Sequence, residues 1–69
     1  MLLSKDGREL LYAIDTLSVT VPDGVEVIRR HAFNGRSSVK TVVLANTVYE
    51  IEPLVFYYCT NLENVNLGT

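Results

Sequence analysis

The sequence predicts an α+β repeat fold: a short right-handed solenoid of 23-residue coils, each holding one strand and one short helical turn, with an N-terminal β-hairpin cap. Three observations predict it. The chain matches itself when slid by 23 positions. Each copy opens on a β-branched run followed by a turn-forming breaker. Near the start, Asp6-Gly7 separates two apolar runs, as in a tight hairpin.

The first element is the leader, residues 1–18. Leu2-Leu3 and Leu10-Leu11-Tyr12 read as two strands about Asp6-Gly7, and the dipeptide predicts a type I′ turn with φ > 0 at both central residues. The first coil of a stack has a naked apolar face, so this hairpin is expected to lie over Val19, Val21 and Val25.

The repeats are expected over 19–69, as coils 19–41 and 42–64 and the start of a third at 65–69. Laid over one another, the two coils share Val19 with Val42, Val25 with Val48, Ile28 with Ile51 and Phe33 with Phe56. Val21 with Leu44, Ala32 with Val55 and Val39 with Leu62 pair apolar with apolar, and Val65 and Leu67 begin the third copy. Within a coil, Val39-Lys40-Thr41-Val42-Val43-Leu44 reads as a strand of period two, and Leu62-Glu63-Asn64-Val65-Asn66-Leu67 and Val19-Thr20-Val21 repeat the arrangement. Breakers follow them: Pro22-Asp23-Gly24, Asn46-Thr47 and Gly68. Val25 and Ile28, like Val48 and Ile51, then turn inward at a bend. A short helical turn carries Ala32-Phe33 or Val55-Phe56, and Pro53 suits its first position.

These residues resemble the BspA-like leucine-rich repeat family. Residues 21–42 read V-P-D-G-V-x-x-I-x-x-x-A-F-x-x-x-x-x-V-x-x-V, against a family repeat of roughly I-P-x-x-V-x-x-I-G-x-x-A-F-x-x-C-x-x-L-x-x-V. The second copy keeps V-x-x-I, then Val55-Phe56, the family's Cys at Cys59 and its Leu at Leu62. Arg36 stands where the family places Cys, Ala45 where it places Pro, and Arg29 and Glu52 where it places Gly. The resemblance covers 19–69 and implies a leucine-rich-repeat solenoid that binds other proteins, in surface-exposed adhesins or host-binding proteins.

Composition narrows the function classes. With 69 residues and one cysteine, the chain forms one small domain without an internal disulfide, and 48% apolar residues rule out a disordered tail. A net charge of −2 offers no electrostatic reason for nucleic acid, and no apolar run is long enough for a signal peptide or membrane insertion. All six basic residues lie in the first forty, whereas the last twenty-nine carry Glu50, Glu52 and Glu63 and no cation.

Catalytic and metal chemistry find no set of residues at working spacing. His31 has no carboxylate or nucleophile at a recognisable distance and reads as a surface or packing residue. Cys59 reads as a small buried hydrophobe, and with Arg36 in the other copy no cysteine ladder arises to bind a metal. Glu50 and Glu52 read as a solvated acidic face. No cofactor is expected.

The candidate contacts are with protein. Tyr49, Tyr57 and Tyr58 align with Glu26, Asn34 and Gly35 in the first copy, so the repeat does not require apolar side chains there. Tyrosine is enriched at interfaces because it brings a large rigid face and a polar tip. The outward strand residues Thr20, Thr41, Val43, Asn64 and Asn66 form the second candidate surface. The function expected is a non-enzymatic protein-interaction module. The alternative is an assembly unit that self-associates through the C-terminal edge at Val65-Asn66-Leu67, where the open faces of Phe56 and Leu62 back an unpaired strand.

Overall fold

β-Branched residues at alternate positions set the first ladder. Three short strands, β3 (Ser18–Thr20), β5 (Thr41–Val43) and β7 (Asn64–Asn66), pair in parallel in the order β3-β5-β7. Their register is Val19 beside Val42 beside Val65, the 23-residue offset of the sequence repeat. The computed structural model describes residues 1–67, so Gly68 and the end of the third copy lie outside the described residues.

A second ladder runs alongside, beyond the one strand per coil that the sequence predicts. Strands β1 (Leu2–Leu3), β2 (Glu9–Tyr12), β4 (Val27–Ile28) and β6 (Glu50–Ile51) form a sheet in the order β1-β2-β4-β6. Each copy therefore holds two strands, not one. The expected bend at Val25–Ile28 is extended backbone whose hydrogen bonds go to neighbouring copies: Tyr49 N–H donates to the Glu26 carbonyl at 2.9 Å and Glu52 N–H to that of Ile28 at 3.0 Å. Two-residue strands are satisfied only by such neighbours, so the chain alone gives them little local signal.

The expected helical turns are not helices. Among the described residues there is no helix, and 30–35 and 53–58 are successions of hydrogen-bonded turns. Ala32 N–H donates to the Arg29 carbonyl, Asn34 to His31 and Arg36 to Phe33, each at 3.0–3.1 Å. Left-handed residues interrupt each run at matching places: His31 (φ 65°) with Leu54 (φ 64°), and Gly35 (φ 71°) with Tyr58 (φ 61°). A helix cannot propagate through such residues, so the N–H groups of the first run cross to the second: Phe33 to the Val55 carbonyl and Gly35 to that of Tyr57.

The leader pairs antiparallel, Leu2 with Tyr12 and Leu3 with Leu10, with a register shift between the pairs. The turn is not type I′, since only Gly7 has positive φ, at 76°. Gly7 N–H instead closes a turn onto the Ser4 carbonyl at 2.9 Å. The Asp6 carboxylate accepts from Arg8 N–H and Ser4 Oγ, and those bonds, the Arg8 amide first, hold its pKa below the ordinary 3.8. Strand β2 continues as the neighbour of β4, with Leu10 beside Ile28, so the leader is woven into the ladder by its second strand.

Between the two ladders and the turns sits one core. Leu10, Val19, Val25, Ile28, Phe33, Val39 and Val42 are wholly or almost wholly buried, and Leu3, Phe56, Cys59 and Leu62 pack against them. Phe33 and Phe56 stand one above the other, ring centroids 5.2 Å apart and tilted by 43°. Burial is lopsided. Ile28 is fully covered, whereas its counterpart Ile51 is 43% exposed, because β6 is paired on one side only among the described residues.

Candidate functional site

Alternation along β3, β5 and β7 divides their side chains between core and surface. Val19 and Val42 point into the core, which leaves the residues on either side of them facing outward. Parallel pairing aligns these into two columns, Ser18–Thr41–Asn64 and Thr20–Val43–Asn66. The second column contains Thr20, Val43 and Asn66 and the first Thr41 and Asn64, so five of the eight residues expected to make contacts share one sheet face. Ser18 belongs to it as well. Its place beside Thr41 follows from the 23-residue offset, which is the signal that could have found it.

The tyrosines fall into two places. Tyr57 and Tyr58 lie in the turns after β6, ring centroids 4.2 Å apart at an interplanar angle of 49°, and both are exposed. Hydrogen bonding with the Tyr58 side chain pushes the Tyr57 phenol above its ordinary 10.0, and desolvation adds to it. Leu54, which the sequence reading did not select, is exposed on the same run of turns, and Tyr57 N–H donates to its carbonyl at 3.3 Å. Its counterpart is the polar His31, a contrast visible in the aligned copies. Tyr49 stands apart, just ahead of β6, 73% exposed. It lines a recess of about 370 Å³ with Leu44, Val48, Ile51 and Leu67, on the side where β6 and β7 lack partners.

Side chains at one repeat position do the same work with different chemistry. Cys59 Sγ donates to the Phe33 carbonyl at 2.9 Å, and Arg36 Nε, one copy earlier, donates to the Ala13 carbonyl at 2.6 Å. Ala13 is to the leader what Phe33 is to the first coil, since Ala13 N–H bonds Ala32 O as Phe33 N–H bonds Val55 O. Burial pushes the Cys59 thiol above its ordinary 9.0, which keeps the donating proton in place. Thr47 and Asn61 add further bonds between copies, to the carbonyls of Val25 and Ser37.

The acidic face expected at Glu50 and Glu52 is divided. Glu52 accepts from Arg29 at 3.0 Å, and Arg29 also holds Glu9 at 2.8 Å, so a carboxylate–guanidinium–carboxylate column crosses three successive strands. The hydrogen bond that Arg29 donates to Glu9 and the charge of Glu52 drive the Arg29 pKa up. Glu52 also accepts from Arg30 N–H at 2.8 Å. Both pairs lie at the surface, where solvent screens them. Arg29 and Glu52 stand where the family that the sequence resembles carries glycine. His31 is exposed, and among the described residues no three acid, histidine or cysteine side chains gather to hold a metal ion. Among the described residues no helix is long and apolar enough to cross a membrane.

A family model described as BspA type leucine rich repeat region (6 copies) matches residues 7–69. No curated protein and no solved structure matches the chain.

Proposed function

Since the chain belongs to the BspA-type leucine-rich repeat family, we propose that it is a non-enzymatic protein-interaction module, a segment of a right-handed leucine-rich-repeat solenoid in an adhesin-like protein at the cell surface or secreted. The observation that carries this reading is the pair of in-register columns on the β3-β5-β7 face, Ser18–Thr41–Asn64 and Thr20–Val43–Asn66. A flat face of short polar side chains about one half-buried valine, Val43, offers hydrogen bonds and apolar contact at little cost in side-chain entropy. Tyr49, ahead of β6, and Tyr57 and Tyr58, in the turns after it, add large rigid contact area elsewhere on the second coil.

Photocrosslinking tests the module. A benzoylphenylalanine at position 43, 49 or 58 should capture one and the same protein, and Thr41→Glu should abolish capture from position 43. Equal capture from a control at Lys5, on the hairpin turn, would remove the reading.

One observation favours a second reading, an assembly unit. Strands β6 and β7 each pair on one side only, next to exposed Ile51, Val65 and Leu67. Backbone groups left free along such an edge accept another strand. Light scattering separates the two readings: a monomer at high concentration counts against assembly, and concentration-dependent growth lost on Val65→Lys supports it.

A further inference from the structure

In the first coil, Asn34 is followed by glycine, while Asn46, Asn61, Asn64 and Asn66 precede Thr, Leu, Val and Leu. The backbone nitrogen after an asparagine can close a ring onto the side-chain amide carbon. A side chain on that next residue hinders the closure, and glycine has none. Asn34-Gly35 is thus where the sequence is chemically most open to loss of an amide.

The fold keeps the pair shut. Gly35 N–H donates to the Tyr57 carbonyl at 2.9 Å, a bond that runs from the first coil to the second. Asn34 Oδ1 is buried and has no hydrogen-bond partner among the described residues. The attacking nitrogen is therefore engaged, and the amide it would attack is screened from water. Both protections depend on the second coil staying docked, and that coil is the less firmly held. Its Ile51, Val65 and Leu67 are exposed, whereas their counterparts Ile28, Val42 and Leu44 are buried. Less apolar burial means opening at lower cost.

We propose that Asn34–Gly35 is a self-modification site, closed while the second coil is docked and reactive once that coil separates. The Gly35 nitrogen, its proton given up to solvent, bonds to Asn34 Cγ, and the Cγ–Nδ2 bond breaks to release ammonia. Water then opens the resulting succinimide, leaving aspartate or, through the other carbonyl, isoaspartate. Aspartate places a charge where a neutral oxygen was buried. Isoaspartate lengthens the backbone ahead of Gly35 and shifts its N–H from the Tyr57 carbonyl. Either product opposes renewed docking, so the step runs one way. It needs no partner protein and is independent of the interaction-module reading.

The test compares the intact chain with a free peptide spanning residues 31–36 at neutral pH. Mass spectrometry of tryptic fragment 31–36 follows conversion, and chromatography separates the two acids. Conversion should be at least about tenfold slower in the chain. Phe56→Ala loosens the second coil and should raise the chain's rate about tenfold or to that of the peptide, with Phe56→Leu giving a smaller rise if the alanine variant does not fold. Leu3→Ala, in the leader, should raise it less. Asn34→Asp supplies one product directly and should speed hydrogen exchange at the Gly35 amide about tenfold. Equal rates in chain and peptide, no acceleration in the Phe56 variants, acceleration as large in Leu3→Ala, or unchanged exchange in Asn34→Asp would overturn the proposal.

Discussion

Replacing Phe33 by alanine removes the largest wholly buried side chain and one half of the Phe33–Phe56 contact. A fully buried phenylalanine truncated to alanine costs about 3–5 kcal/mol, from lost transfer energy and the cavity left behind. A chain of this length holds roughly 3.5–10 kcal/mol in all. Phe33→Ala should therefore leave the protein at the margin of folding. Phe56 is only half-buried, and its truncation should cost about half as much, about 1.5–2.5 kcal/mol. Urea unfolding followed by far-ultraviolet circular dichroism gives both values, and Phe33→Leu, a smaller loss, keeps the comparison measurable if the alanine variant does not fold. Equal costs at the two positions, or a loss below about 1 kcal/mol for Phe33→Ala, would refute a core centred on the first coil.

Further outcomes follow from the contacts between copies. Arg36→Ala strands the buried Ala13 carbonyl and should cost about 1–2 kcal/mol in the same assay, with Arg36→Cys recovering part of it because Cys59 fills this role one copy on; no recovery would contradict the equivalence. Tyr58→Gly relieves left-handed strain at some cost in unfolded-state entropy and should raise stability by about 0.5–1 kcal/mol; a fall would contradict the strain. Cys59 has a raised pKa, so its contribution to stability is fully present below the ordinary value of 9.0 and is lost as pH rises through the folded value. Alkylation should accordingly be slow at neutral pH and show a midpoint above 9.0, and a midpoint at or below that value would contradict the buried, donating thiol.

Legibility in the sequence followed the strength of local signals. Four identities at one offset were enough to place Val19, Val42 and Val65 side by side and Phe33 over Phe56. Strands β4 and β6 were not readable, because two residues such as Glu50-Ile51 show no alternation and their partners come from other copies. The helical turns were misread for a related reason. Left-handed backbone at His31 and Leu54 leaves no mark in side-chain chemistry, although Gly35 is the residue that such a position favours. The junction of β2 with β4 pairs Leu10 with Ile28, an offset other than that of the repeats, so matching the copies could not find it. Among the candidate contacts, the Thr41, Val43, Asn64 and Asn66 face was readable from period two. The strain beneath Tyr58 was not, since only the backbone shows it.

The most direct test of the account is a nuclear Overhauser spectrum of the chain in solution. Stacking of the copies in register predicts contacts between the Phe33 and Phe56 rings, and between the backbones of Val42 and Val65 and of Ile28 and Ile51. Neighbours displaced by one residue along either ladder, or phenyl rings with no shared contacts, would contradict it.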